Sequence, residues 1–191
     1  MTATLEHSFD WSGTSTDPND RQFGDVVEST SLDNAGRYDV LLVGEPYDGA
    51  VIGRPGAREG PAAIRAALAS TKTHHLERGD VATDDGLRIG DIGDVTIPTG
   101  LSVEDAQERI RSLTHEIHDT DALPVFLGGD NSLTVPNVWP LLTSGETIGA
   151  VNADAHLDCR IVRGQPSSGT PYRQLHEEGL ERLVVVGARH F

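Results

Sequence analysis

Short apolar runs, most of them closing on glycine, recur along this chain with helix-period stretches between them, and that alternation limits the fold more than any other feature. The runs are Tyr38-Asp-Val-Leu-Leu-Val-Gly44, Leu87-Arg-Ile-Gly-Asp-Ile-Gly93, Leu123-Pro-Val-Phe-Leu-Gly128, Thr147-Ile-Gly-Ala-Val-Asn152 and Leu183-Val-Val-Val-Gly187. A short continuous run such as the first fits a strand covered on both faces. Pro61 to Ala69 reads as a helix with proline in its first turn. Residues 102–118 carry an apolar stripe at Val103, Ala106, Ile110, Leu113 and Ile117, with Ser102 as cap and Asp105 three residues on. Further helices are expected over 133–142 and 171–178. Strands alternating with helices of this length imply parallel pairing through right-handed crossovers, hence an open α/β sheet. In such sheets ligands gather at the carboxyl ends of the strands.

Residues 1–35 are polar and turn-rich and show neither hydrophobic period, so they are expected to form an N-terminal arm or lid. Residues 36–191 read as part of a single domain, the size that 191 residues favour. The final apolar run is followed only by Ala188-Arg-His-Phe191, so an incomplete domain with an uncovered last strand is expected. The chain carries 15 basic and 30 acidic residues, a formal charge of -15, and Lys72 is its only lysine. That field repels nucleic acid and anionic membranes, and it is the balance of a protein kept soluble in concentrated salt. No stretch approaches the ~18 apolar residues of a membrane helix, and the N-terminus has no signal-peptide pattern. A soluble cytoplasmic protein is expected. Cys159 stands alone, which excludes an internal disulfide, and its acidic neighbours favour a structural role over a nucleophilic one.

Chemistry concentrates at two strand ends. Val151-Asn-Ala-Asp154-Ala-His156-Leu-Asp158 places metal-capable side chains at every second position, so in an extended backbone Asp154, His156 and Asp158 share one side. Two carboxylates and an imidazole suit Mn²⁺, Zn²⁺ or Fe²⁺ better than Ca²⁺. Gly128-Gly-Asp130-Asn131-Ser132 lies between a strand and a helix, where the glycines allow close backbone approach to a ligand and Asn131 or Ser132 equally serves as a helix cap. His115 and His118 flank Glu116 on a polar helix face and read as surface residues, His74-His75 as loop, and His7, His176 and His190 have no partner at ligand spacing.

Together, Gly128-Gly-Asp-Asn-Ser-Leu-Thr134, Asp154-Ala-His-Leu-Asp158, Ser167-Ser-Gly-Thr-Pro-Tyr-Arg173 and the upstream Arg54-Pro-Gly-Ala-Arg-Glu-Gly-Pro-Ala-Ala-Ile-Arg65 resemble the ureohydrolase family of arginases, agmatinases and formimidoylglutamases. The resemblance runs from about Asp39 to the end. It implies a three-layer α/β/α sandwich around a mostly parallel sheet, a homo-oligomer, and a centre of two Mn²⁺ ions. Asp154 is then implied to bridge the metals, with His156 on one and Asp158 on the other. Two departures matter. Asn131 stands where most relatives have histidine and offers only a weak amide oxygen. The family's Ser-x-Asp-x-Asp-x-x-Asp-Pro segment, which brings two further aspartate ligands, is absent, so the chain supplies at most half a metal site plus Asn131.

The Asp-Ala-His-x-Asp-x-Arg form resembles formimidoylglutamases more than agmatinases. The small-molecule substrate so implied is N-formimidoyl-L-glutamate, an intermediate of histidine degradation, hydrolysed to L-glutamate and formamide by a water ionised between the metals. Its carboxylates give Arg160 a target for a bidentate fork, with Arg163 and Arg173 as weaker candidates. Asp130 is expected to orient a ligand from behind. The competing expectations are agmatinase or another guanidino hydrolase releasing urea, and a non-catalytic chain that keeps only the fold's first half.

Overall fold

The structure, a computed structural model, describes residues 3–81 and 86–190. The expected mixed segment Asp80 to Gly100 lies partly outside the described residues. The strands are β1 (Leu5–Glu6), β2 (Glu28–Ser29), β3 (Val40–Glu45), β4 (His74–His75), β5 (Gly79–Asp80), β6 (Ile89–Val95), β7 (Leu123–Gly128), β8 (Gly149–Ala153) and β9 (Arg182–Val186). The helices are α1 (Gly60–Ala69), α2 (Val103–His118), α3 (Thr134–Leu142) and α4 (Pro171–Glu177).

The main sheet runs β1-β6-β3-β7, with β2 beside β6 on the edge that also holds β1. β3 pairs in parallel with both β6 and β7, from Val40 against Leu123 to Glu45 against Gly128. Its two faces are covered by different helices. Leu41 and Val43 join the core that holds the α2 stripe of Val103, Ala106, Ile110, Leu113 and Ile117, while Leu42 packs with Leu127, Ile89 and Leu68 of α1. This is the α/β/α layering expected. The α2 start is also as expected: Ser102 Oγ accepts from Asp105 N at 3.1 Å and donates to Asp105 Oδ2 at 2.6 Å.

β8 and β9 pair in parallel, but as a separate two-stranded sheet. Ala150 and Leu183 pack against Val135 of α3 and against Tyr172 and Leu175 of α4. The opposite face is open: Val151, Val184 and Val186 are 75%, 55% and 58% exposed.

The N-terminal segment is woven into the sheet edge. β1 pairs antiparallel with β6 at Val95 and Asp94, and β2 pairs in parallel at Gly90 and Asp91. Ala3, Val27 and Ala35 are buried. Trp11 Nε1 donates to Asp91 Oδ2 at 2.8 Å, and Ser8 Oγ to Asp94 Oδ2 at 2.5 Å. The same two carboxylates receive Arg65, which is fully buried: Nε and Nη2 fork onto Asp91 at 2.7 and 2.9 Å, and Nη1 donates to Asp94. Isolated apolar residues and these few polar contacts leave no period to read, which is why the segment resembles a loose arm in sequence. His74 and His75, read as loop, form one side of the β4–β5 hairpin.

Candidate metal centre

The two chemistry-bearing segments meet at the carboxyl ends of β7 and β8. Gly128 and Gly129 turn the chain sharply after β7, and a Cβ on Gly129 would overlap the Tyr47 carbonyl oxygen. Asp130, nearly fully buried, anchors the turn. Its Oδ2 accepts from Ala50 N at 2.8 Å, and its Oδ1 from Ser132 N and Oγ at 2.9 and 2.6 Å. The Ala50 carbonyl in turn accepts from Ser168 N at 2.8 Å, so one acid links three loops.

β8 ends at Ala153, and residues 154–158 are not extended. This corrects the geometric basis of the sequence reading. Asp154 Oδ1 accepts from the backbone N of His156 at 2.8 Å, a turn that aspartate commonly makes, and lies 3.2 Å from His156 Nδ1. Asp158 adopts φ 48°, a left-handed conformation rare for a residue with a side chain but tolerated by aspartate. Its carboxylate therefore faces the Gly128 turn, where Asn131 Nδ2 donates to Asp158 Oδ2 at 2.7 Å. Asn131 Nδ2 also reaches the Ser168 carbonyl at 3.2 Å, and its Oδ1 accepts from Thr134 Oγ1 at 2.9 Å. In this arrangement the amide oxygen of Asn131 is already engaged. Burial pushes the Asp158 carboxyl above its ordinary range and the nearby Asp154 adds to this, while His156, Arg160 and Asn131 act in the opposite direction.

His156, Asp158 and Arg160 line a cavity of about 260 Å³ closed by Ile52, Gly53, Ser168 and Gly169. Arg160 is exposed and is held through its backbone N, which donates to Gly169 O at 3.0 Å, leaving its side chain at the cavity mouth. Arg173 instead donates Nε to the Cys159 carbonyl at 2.9 Å, and Arg163 is exposed and outside the cavity lining. Cys159 packs with the α3–α4 core, where burial pushes its thiol up, with Arg173 opposing.

The donor types suit a divalent ion, two carboxylates and an imidazole along one rim. They are nonetheless divided into an Asp154–His156 pair and an Asp158–Asn131 pair, and among the described residues no three His, Cys, Asp or Glu side chains converge closely enough to hold a metal. Sequence spacing does not reveal three neighbours, His190, Ile52 and Gly53. His190 stacks on His156 with centroids 5.4 Å apart, brought there because its backbone N donates to Ala155 O at 2.9 Å. Ile52 and Gly53 enter from the loop after β3, within reach of the upstream motif but bearing no polar signal. His118 is half-buried: Nε2 lies 2.8 Å from the Asn137 carbonyl and its ring 5.9 Å from that of Phe126. His115 is exposed beside Asp119.

Residues 38–191 match the model of the arginase family. The chain belongs to that family. It is 55% identical over 191 residues to a formimidoylglutamase of Halobacterium salinarum, covering 98% of this chain and 60% of the relative. It is 35% identical to a mitochondrial agmatinase of Gallus gallus over 79% of this chain and 45% of the relative. Among solved structures, formimidoylglutamase from Bacillus subtilis superposes with TM-score 0.74 at 26% identity, over 86% of this chain and 51% of that one. A Trypanosoma cruzi formiminoglutamase with Mn²⁺ superposes with TM-score 0.69 at 32% identity, over 83% of this chain and 53% of that one. This arginase-family chain spans about half to three-fifths of the length of these relatives. Among its described residues no helix is long and apolar enough to cross a membrane.

Proposed function

We propose that these residues form the amino-terminal part of a manganese-dependent formimidoylglutamase of halophilic type, which hydrolyses N-formimidoyl-L-glutamate to L-glutamate and formamide in histidine degradation. The observation that carries this reading is the similarity to the Halobacterium salinarum formimidoylglutamase over nearly the whole chain. Arg160 at the mouth of the cavity lined by His156 and Asp158 supports it, because the substrate presents carboxylates that agmatine lacks.

Asp154, His156 and Asp158 are the proposed ligands, with Asn131 as a weak one. His156 and Asp158 already line the cavity, Asp154 and Asn131 would leave their present hydrogen bonds to reach it, and the remaining ligands are those that the family resemblance implies. A Mn²⁺ pair held by these residues would supply Lewis acidity toward water and the amidine. The chain's own residues do the rest. Arg160 holds a substrate carboxylate, and Asp130 keeps the Asn131 turn fixed against the loops at Ala50 and Ser168. Ile52 and Gly169 narrow the cavity around the amidine. Arg163 and Arg173 are weaker candidates for the second carboxylate. A homo-oligomer is proposed on family resemblance.

The test uses a polypeptide of the relatives' full length carrying these residues, loaded with Mn²⁺. Formamide release from N-formimidoyl-L-glutamate is expected, with loss of at least a hundredfold in kcat/KM for Asp154→Ala, His156→Ala and Asp158→Ala. Urea release from agmatine, with no formamide from the amidine, sinks the proposal and favours a guanidino hydrolase.

A further inference from the structure

Glu45 ends β3 with its side chain completely buried, on the sheet face that α2 and α3 cover. Its Oε2 accepts from Asn137 Nδ2 at 2.7 Å, while among the described residues neither its Oε1 nor Asn137 Oδ1 has a hydrogen-bond partner. A carboxylate and an amide oxygen both left as unpaired acceptors in a buried site are each destabilising, the charged group more so. A proton on Oε1 would turn it from an acceptor into a donor able to serve the amide oxygen, while Oε2 keeps accepting from the amide nitrogen. Among the described residues no cation pairs with Glu45. On α2, His118 is engaged with the Asn137 carbonyl and Arg111 lies over Trp139. In the turn after β7, Asp130 is occupied by Ala50 and Ser132. Arg65 of α1 and Asp94 of β6 pair with each other on the far side of Gly44, and Tyr47 donates its hydroxyl to the Leu101 carbonyl.

We propose that Glu45 is a neutral carboxylic acid at pH 7 and forms, with Asn137, a proton-dependent clasp between the carboxyl end of β3 and helix α3. The clasp stands beside the Gly128 turn, which pairs with Glu45 through the backbone and leads directly into α3. Burial pushes Glu45 from the ordinary 4.5 up to about 8, with the Asn137 amide opposing the shift. Below pH 4.5 the folded and unfolded chains both carry the proton, so the clasp has its full effect there. Between 4.5 and about 8 the unfolded chain releases the proton and the folded chain keeps it, so this contribution to stability falls as pH rises. Above about 8 it levels off.

Infrared spectroscopy of the 191-residue chain tests this directly. Wild type is expected to show a protonated-carboxyl stretch at pH 6.5 that disappears as pH passes about 8, and Glu45→Gln is expected to lack it. Glutamine keeps the shape of the neutral acid and can donate to Asn137 Oδ1, so the variant should fold. Its urea midpoint should gain on wild type steadily from pH 5 to 8 and then run parallel. The proposal is overturned by the absence of the band from wild type at pH 6.5, by its survival in the variant, by a pH-independent difference in midpoint, or by failure of the variant to fold.

Discussion

β3 and β9 are strands of nearly equal apolar content with opposite surroundings. Leu41 and Val43 of β3 are fully buried, and Leu42 on the other face is almost so, because α2 lies on one side and α1 on the other. In β9 only the face bearing Leu183 is covered, by α3 and α4, and Val184 and Val186 stand more than half exposed. A valine run records the capacity to be buried, and among the described residues helices cover both faces of β3 but only one face of β9. Hydrophobic stabilisation follows area removed from water, so the same residue type contributes very differently in the two places.

The sharpest way to break this contrast is at Arg65, whose ion pairs lie under the doubly covered half of the sheet. Arg65→Met leaves Asp91 buried with an unpaired charge, and urea unfolding should report a loss of about 3–5 kcal/mol. Second in size is the direct comparison of equivalent truncations. Leu41→Ala in β3 should cost about 2–5 kcal/mol, whereas Val184→Ala on the open face of β9 should stay within about 0.5 kcal/mol. Equal costs would remove the distinction between the two sheets. Next comes Ser102→Ala, which deletes the cap of α2 and should lower stability by about 1 kcal/mol in the same assay. The smallest effect belongs to the exposed pair of Arg88 and Asp39 at the start of β3. The Arg88 guanidinium holds the Asp39 carboxyl down from 3.8 to about 2. The stability it confers is present above the ordinary value and is lost as pH falls through about 2. In Arg88→Ala, NMR titration should return Asp39 toward 3.8 with little change in the urea midpoint at pH 7.

The elements of the main sheet were legible because long-range burial leaves a local imprint. The run at 40–45, the α2 stripe and the Ser102 cap each state their structure within a few residues. The edge strands β1 and β2 carry no such imprint, since two residues suffice for each and their anchors, Trp11 and Asp91 among them, are far apart in sequence. At the candidate centre the residue types were legible and their geometry was not. Strand alternation predicts an extended chain past Ala153, but Asp154 satisfies the His156 amide with its own carboxylate and so ends the strand. The Glu45–Asn137 contact was invisible for a different reason: a single polar residue inside an apolar run looks like noise until the fold supplies its partner.

The backbone at Asp158 narrows what this position can ever be exchanged for. With φ at 48°, glycine, asparagine and aspartate fit with least strain. Only aspartate among them bears a charge, so Asp158→Asn changes electrostatics while preserving the local chain path, whereas alanine alters both. A laboratory that randomises this codon and selects for folding alone should recover that small set and little else.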